Sequence, residues 1–394
     1  MDSTQDLYDN KPPTIFTQLC NVETGVHEPH INRGKSSSVS DSCDNPQREN
    51  MITCKDPQLQ DFIDDARGLD FDIKLPPIDI NIPSYIVILD KRTAFMSRFS
   101  IPTGVDTVGL TLVDIVSKGV VFKAGTHQES GDIEFRRTLT LGDAMLGKKT
   151  ILFSSGSDVL IERLWREYKE CSLFESIRAM GFSLVTGINF SVIKGECPVG
   201  QYLNQKKSLL SALLSSNAGS SAIPHIYCLD MYDVDLWCEY LRNNPQTTLV
   251  SMNCQLQKSQ KDIDAIIKAV STIMDRLPNV HFILTGFRLN QIYKFGHNLA
   301  RIHFAEKTPV KYAQIHRKMF LDIRTMRFSD SYVHESVEDI MKHNINLRRV
   351  YVELTKEKVL SRYKIPDDVM KIIQSTFYVD AIDSLKTNSL QSQL

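Results

Sequence analysis

The fold class is decided by a segment from Lys149 to Gly187, which reads KTILFSSGSDVLIERLWREYKECSLFESIRAMGFSLVTG. It opens with a short apolar run and closes with a second one, FSLVTG. Between them lies a long amphipathic stretch, with Asp158 at its expected N-cap and Gly181 at its expected C′ position. Two buried strands joined by a helix make a right-handed crossover between parallel strands. The segment therefore predicts a βαβ unit.

The same alternation extends over most of the chain. Apolar runs followed by helix-length amphipathic segments lie at 85–90, 149–156, 182–187, 221–230, 247–255, 280–287 and 300–306. Seven or eight such units over about 250 residues predict a (β/α)8-like, TIM-type barrel. A doubly wound open sheet is the alternative, although no run is followed by a Gly-x-Gly-x-x-Gly or Walker phosphate loop.

The charge distribution suggests three regions. The chain of 394 residues has a formal net charge of −1, but residues 1–75 hold 7 Lys/Arg against 14 Asp/Glu. This first region is rich in Ser and Asp and is predicted to be a disordered acidic tail. Residues 76–325 are predicted to form the barrel and residues 326–394 a C-terminal helical extension.

Composition and cysteine usage indicate where in the cell the protein is expected. No apolar stretch approaches the roughly 20 residues of a membrane helix, and the start MDSTQDLYDN lacks the pattern of a secretion signal. The eight cysteines are scattered, and several lie in apolar runs, which is typical of a reducing cytoplasm. We therefore expect a cytoplasmic protein without membrane contact. No spacing indicates a metal site, and cofactor and oligomeric state are not indicated by the sequence.

Function in a parallel barrel gathers at the carboxyl ends of the strands. Two carboxylates and a histidine at predicted strand ends are candidates for catalysis: Asp90, Asp230 and His225. Further polar residues at strand ends or just beyond them are candidates for substrate binding: Asn189, Ser191, Tyr227, Asn253, Gln255 and Thr285. For the last strand, His303 and Glu306 are the polar residues. The alternatives are that Asp230 caps the following helix and that His225 is a core histidine.

The loop Ile188–Ser191, INFS, is longer than a plain strand-to-helix connector requires. It places Asn189 and Ser191 on the functional face of a barrel and leads to a helix that carries Lys206 and Lys207. The alternative is that Phe190 plugs the top of the barrel, while the polar pair satisfies backbone groups around it.

Seven Lys/Arg lie between Arg301 and Arg327, interleaved with aromatic residues. Such clusters bind phosphate groups. Candidates for contact with phosphate or nucleic acid are Lys206, Lys207, Arg317 and Lys318. A nucleic acid or nucleotide ligand is accordingly the expected partner, and a solvated helix face is the alternative.

Several motifs resemble those of an uncharacterised barrel-like family of unknown function from bacteria and mobile elements. They are Asn189-Phe190-Ser191, Lys207-Ser208 and Ile223-Pro224. The resemblance covers about residues 80–320 and implies the barrel fold, but no known reaction. ILDKRTAF and ILTGF are more faintly similar to guanine transglycosylase barrels, which would imply a catalytic role for Asp90. The compact Cys-rich zinc site and second catalytic Asp of those enzymes have no counterpart here.

Together these observations predict an intracellular barrel enzyme whose site lies at the carboxyl-terminal mouth of the strands. Its substrate would be a nucleobase, a nucleotide or a nucleotide-linked sugar. The alternative is a non-catalytic nucleic-acid or protein binding module of a mobile element.

Overall fold

The computed structural model describes residues 57–78, 81–95, 101–123, 126–136, 147–193, 198–257, 259–322 and 325–361. Most of the predicted acidic tail and the last residues of the predicted C-terminal extension lie outside these ranges. Within them, no helix combines the length and apolar character that crossing a bilayer requires.

Eight parallel strands form the barrel. They are β1 Tyr85–Ile88, β2 Thr107–Thr111, β5 Lys149–Phe153, β6 Leu184–Thr186, β7 Ala222–Ile223, β8 Leu249–Asn253, β9 His281–Thr285 and β10 Ile302–Glu306. Their order is β7-β6-β5-β2-β1-β10-β9-β8, and a parallel bridge between His225 and Ser251 joins the two ends. Each strand therefore lies beside the next barrel strand in the chain, and the predicted (β/α)8 barrel is confirmed.

Helices cover the outside of the barrel. They are α1 Pro57–Asp65, α2 Lys91–Phe95, α3 Leu112–Ile115, α4 Asp158–Arg166, α5 Leu173–Ala179, α6 Pro198–Asn217, α7 Met231–Asn243, α8 Gln260–Arg276, α9 Thr308–Gln314 and α10 Val337–Leu360. A 3₁₀-helical segment, Leu289–Arg301, connects β9 to β10.

The helix predicted after β5 is two helices. Its N-cap is Ser157, whose side chain accepts a hydrogen bond from the Leu160 amide, so Asp158 is the first helical residue. The chain leaves the helix after Arg166 and resumes at Leu173, and Ser172 between them takes a left-handed φ of 49°. Gly181 follows the second helix in a left-handed conformation with φ 73°, as predicted for a C′ residue.

Two antiparallel hairpins are inserted into the barrel, the first between α3 and β5 and the second between α9 and α10. One pairs β3 Val116–Lys123 with β4 Thr126–Phe135, and the other pairs β11 Arg317–Asp322 with β12 Arg327–Tyr332. Before the second hairpin, α9 ends at Gln314, and His316 takes a left-handed φ of 55° that turns the chain into β11.

Two segments assigned to the flanking regions pack on the barrel. The segment after α1 buries Ile73 and Leu75 in the main core, with 6% and 3% of their surface exposed. On the other side, α10 packs along α9, the 3₁₀ segment and β1. The helical part of the predicted C-terminal extension that the structure describes therefore packs on the barrel.

The barrel interior is filled by apolar side chains. The interior cluster contains Ile86, Ile88, Ile151, Phe153, Leu184, Ile223, Leu249, Ile283 and Ala305. Phe153 occupies the space that Gly109 leaves, since a Cβ on Gly109 would lie 2.5 Å from the Phe153 ring. A ligand therefore has to bind above this layer rather than inside the barrel.

A buried ion pair joins the first strand, the last strand and the last helix. The Arg348 guanidinium donates two hydrogen bonds of 2.6 Å to the Glu306 carboxylate, and the Tyr85 hydroxyl donates a third at 3.2 Å. The Arg348 guanidinium also lies over the Phe328 ring at 4.3 Å. These contacts fix α10 and the second hairpin on the β10–β1 seam.

Replacing Arg348 with Met leaves the Glu306 carboxylate buried without its cation, so we expect Arg348→Met to lower the free energy of unfolding by about 3–5 kcal/mol. Arg349→Met, which removes only the half-exposed pair with Glu353, should cost about 1 kcal/mol or less. Urea unfolding of both variants measures the difference. Equal losses would contradict a special role for the seam pair.

Gly109→Ala should lower the free energy of unfolding by about 1–3 kcal/mol, because the new Cβ overpacks Phe153. Phe153→Leu in the same chain should recover part of that loss. Gly200→Ala is the matched control, since a Cβ there meets nothing within 4 Å. If Phe153→Leu recovers nothing, the interior clash is not the cause.

Candidate functional site

Polar side chains form a ring above the apolar interior, at the carboxyl ends of the strands. Strand side chains alternate between faces, so the residue two positions beyond each interior residue faces the same way. On seven of the eight barrel strands, the polar residues two or four positions beyond an interior position are Asp90, Thr111, Thr186, His225, Ser251, Asn253, Thr285 and Lys307, which we call the polar ring. On β5 the interior Phe153 is the last residue of the strand, and Ser155 follows at the same face.

Asp90 lies at the β1 end of the ring as a half-buried carboxylate. One carboxylate oxygen accepts the Thr93 amide at 2.8 Å, and the other accepts the Gln314 side-chain amide. Partial burial raises the pKa of Asp90, but these hydrogen bonds and the charge of Lys307 outweigh it and hold the pKa below its ordinary value. Asp90 is therefore an anion at neutral pH.

Beside Asp90 lies a buried pair that sequence reasoning did not single out, Asp114 and Lys307. The Asp114 carboxylate accepts the Lys91 amide at 2.9 Å and the Thr111 hydroxyl at 2.6 Å, and the Lys307 ammonium lies 3.3 Å from it. The signal for Asp114 was present, since Thr111-x-x-Asp114 is a capping-box pattern. The signal for Lys307 was its position two residues beyond the interior Ala305.

His225 lies at the β7 end of the ring, four strands from Asp90 in either direction around the barrel. It is 6% exposed, and its Nδ1 lies 3.1 Å from the Ser251 hydroxyl. Burial lowers the pKa of His225 to about 3. The imidazole is therefore neutral at neutral pH. Asp90 and His225 lie on opposite sides of the same mouth.

The position of His225 depends on a close approach of α6 to the strand ends. The Ser208 hydroxyl donates to the His225 carbonyl at 3.0 Å, and the Ser211 hydroxyl accepts the Ile188 amide at 2.7 Å. A Cβ on Gly187 would lie 2.6 Å from the Ser208 carbonyl oxygen, so only glycine permits this approach. The helix hydroxyls extend the hydrogen bonding of β7, which is two residues long.

The loop 188–191 is tied to the surrounding helices. The Ser191 hydroxyl donates to the Asp158 carboxylate at 2.5 Å, and the backbone amide of Asn189 donates to the Ser154 carbonyl at 2.8 Å. Phe190 packs edge-to-face on Trp165 at 5.3 Å and lies in the outer core, so it does not plug the barrel. Ligand contact by Asn189 and Ser191 stays a prediction.

The remaining predicted residues near this face are dispersed. Asp230 accepts the Tyr232 and Asp233 amides as the N-cap of α7, which is the alternative raised from the sequence. The Tyr227 hydroxyl accepts from Gln257, and Gln255 is exposed beside Gly286. Asn253 and Thr285 are opposite each other in the β8–β9 pair, within the polar ring.

Lys206 and Lys207 have partners inside the protein. Lys206 is 1% exposed, and its ammonium donates to the carbonyls of Arg67 and Gly68, in the turn that follows α1. The Lys207 ammonium lies 4.5 Å above the Phe190 ring and 3.4 Å from Asp65. The geometry therefore gives both residues a role in the fold, and it does not support the predicted phosphate contact.

The basic stretch from Arg301 does not form one surface. Arg301 donates to backbone carbonyls, including that of Pro278 at 2.7 Å. In the second hairpin, Arg317 pairs with Asp330, and Lys318 lies 2.8 Å from Glu335. The positive charges of Arg317 and Lys318 are thus compensated locally, and phosphate binding there stays a prediction without geometric support.

Two cavities formed by described residues lie away from the mouth. One of about 220 Å³ is lined by Phe71, Asp72, Leu236, Glu239, Tyr240, Asn243 and Asn244. The other, of about 10 Å³, lies at the opening of β7 and β8 and has room for a single water molecule. Neither reaches the polar ring.

Comparison with known proteins leaves the activity open. No family model matches the chain, and no curated protein matches it closely. Among solved structures, it is similar to an endo-beta-mannanase/endo-beta-glucanase of Prevotella bryantii, with 11% identity and a TM-score of 0.30. The similarity covers 62% of this chain, which spans 42% of that one, and it carries no argument about function.

Acid should destabilise the protein through its buried histidines. Burial lowers the pKa of His225 and of His303 to about 3, so the folded state keeps both rings neutral while the unfolded chain protonates them. The stabilisation is complete above pH 6.5 and is lost as the pH falls toward 3. Each ring should contribute up to about 1.4 kcal/mol per pH unit between pH 6 and 4.

Urea unfolding between pH 7 and 4 measures this slope, which His225→Gln should reduce. Ser329→Gln, at an exposed position of the second hairpin, should leave the slope as it is in the wild type. Identical slopes in all three proteins would contradict the assignment of a neutral buried ring.

Proposed function

We propose that the protein is an enzyme that acts at the mouth of the barrel on a small polar substrate carrying a nucleobase or a sugar. The observation that carries the proposal is the polar ring, in which seven strands direct hydrogen-bonding side chains above a closed apolar layer. A ring of this kind offers many polar contacts to a ligand lying on the barrel. An apolar ligand would leave these groups without partners.

Asp90 is the proposed reactive group. Its carboxylate is ionised, is held by Thr93 and Gln314, and remains half-buried at the mouth. Such a group serves as a general base or as a nucleophile at an anomeric carbon. Asp230 does not join it, because that side chain is exposed and caps α7.

Other members of the ring have supporting roles in this proposal. The Lys307 ammonium lies near both Asp90 and Asp114 and stabilises negative charge that develops at the β10–β1–β2 sector. Asn253 and Thr285 orient the substrate, as does the neutral His225. The cytoplasm is the expected location, and the free, buried thiols of Cys238 and Cys254 are compatible with it.

The binding-module alternative has no comparable support. A nucleic-acid binding module requires a continuous basic surface, whereas the charges of Arg317 and Lys318 are paired and Lys206 is buried. No specific observation favours a protein binding module, and the enzyme proposal is the one that the polar ring supports.

The test is turnover by the full chain on nucleosides, nucleotides and nucleotide-linked sugars, followed by mass spectrometry of the products. Asp90→Asn should lower the rate on the accepted substrate by about 10²–10⁴-fold, because the amide cannot serve as base or nucleophile. Asp106→Asn, at an exposed carboxylate before β2, should leave the rate unchanged. No turnover of any compound by the wild type, or full activity in Asp90→Asn, would reject the proposal.

A further inference from the structure

The larger of the two cavities lies between α7 and the segment that follows α1, away from the mouth. Its volume is about 220 Å³, and side chains from both elements line it. On α7 the lining residues are Leu236, Glu239, Tyr240 and Asn243, which follow the i, i+3, i+4, i+7 spacing of one helix face. A cavity of about 150 Å³ holds a benzene molecule, so this one has room for a small organic ligand.

Two aromatic rings meet at this cavity. The Phe71 and Tyr240 rings have centroids 6.0 Å apart and an interplanar angle of 87°, so they form two perpendicular walls. Phe71 is held in this position because its ring also contacts Trp237 at 5.3 Å, and because Ile73 anchors the same segment in the core. Aromatic ring faces carry partial negative charge and attract cations.

Two carboxylates line the same cavity without a compensating cation. Asp72 and Glu239 are exposed, and neither forms an ion pair with any residue in the part of the chain that the structure describes. The closest basic residues along the chain, Lys74 and Arg242, are also exposed and do not line the cavity. Two negative charges beside aromatic and apolar walls favour a cation that also carries apolar surface.

An inorganic cation fits this lining poorly. Mg²⁺ and Ca²⁺ take six or more oxygen ligands, whereas Phe71 and Leu236 supply none to this cavity. Among the described residues, no group of three or more His, Cys, Asp or Glu side chains could hold a metal ion. The lining therefore selects an organic cation over a metal ion.

We propose that this cavity binds the alkylated ammonium group of a small organic cation. The group lies against the Phe71 and Tyr240 rings, and the carboxylates of Asp72 and Glu239 balance its charge. The cavity does not reach the polar ring, so this inference stands apart from the function proposed for the mouth.

The experiment compares choline with 3,3-dimethylbutan-1-ol, which has the same shape but carries a carbon atom in place of the charged nitrogen. Saturation-transfer NMR with the full chain measures the binding of each probe from its methyl signal. Choline should bind saturably with a Kd of about 1 mM, an ordinary affinity for so small a ligand. The neutral probe should bind about tenfold more weakly, because it gains neither the ring faces nor the carboxylates.

Three variants locate the probe. Glu239→Gln should weaken choline binding about three- to fivefold, and the double variant with Asp72→Asn about tenfold. Phe71→Leu keeps an apolar side chain but removes one ring, and should weaken binding about three- to fivefold. Asp132→Asn, at an exposed position of the first hairpin, is the matched control and should bind choline as the wild type does. Because Asp72 and Glu239 are exposed, their variants test the site even if Phe71→Leu unfolds.

Three results would overturn the inference. Equal affinity for the two probes would mean an apolar groove that does not recognise charge. Unchanged choline binding in the Asp72→Asn/Glu239→Gln variant would mean that choline binds elsewhere on the protein. Absence of saturable choline binding by the wild type would mean that the cavity holds only water. None of these results bears on turnover at the mouth, so this inference and the proposed function can fail separately.

Discussion

The buried contact of Arg348 with Glu306 is the interaction on which the closed barrel depends. A parallel barrel must join its last strand to its first, and here Tyr85, Ile86 and Val87 face Phe304, Ala305 and Glu306. The bidentate ion pair adds α10 to the seam, and Tyr85 donates to the same carboxylate. The charge pair is buried on both sides, so its value depends on every partner staying in place.

The seam also sets the chemistry of the mouth. Glu306 faces outward to Arg348, so the next residue, Lys307, is directed to the inward face. There it contacts Asp114, and it lowers the pKa of Asp90 through its charge. The second hairpin takes part as well, because Asn344 of α10 accepts the Met319 amide at 2.8 Å and donates to the Arg317 carbonyl at 3.0 Å. The Arg348–Glu306 pair is thus linked through the neighbouring Lys307 to the candidate reactive carboxylate, Asp90.

The barrel could be predicted from the sequence because its strands are short apolar runs at regular spacing, as in KTILF and FSLVTG. Alternation likewise placed His225 on a definite face. The sequence could not show which residue each charged side chain contacts. From the sequence, Lys206 is typical of a surface lysine on an amphipathic helix, yet its ammonium donates to carbonyls in the turn after α1, over 130 residues earlier in the chain. Arg317 and Lys318 belong to a basic cluster in the sequence, but β11 carries them into pairs with Asp330 and Glu335.

Because the barrel interior is filled, any selectivity for a ligand at the mouth depends on the orientation of hydrogen bonds. Phe153, packed against Gly109, closes the barrel below the polar ring, so shape alone can exclude little from a ligand lying on top. Discrimination then depends on which ring members donate and which accept. Ser251 contacts His225 Nδ1 at 3.1 Å, and Gly187 allows Ser208 to hold the same backbone in place. A neutral imidazole adds no charge to the mouth, whereas a cationic ring opposite Asp90 would attract anions to it.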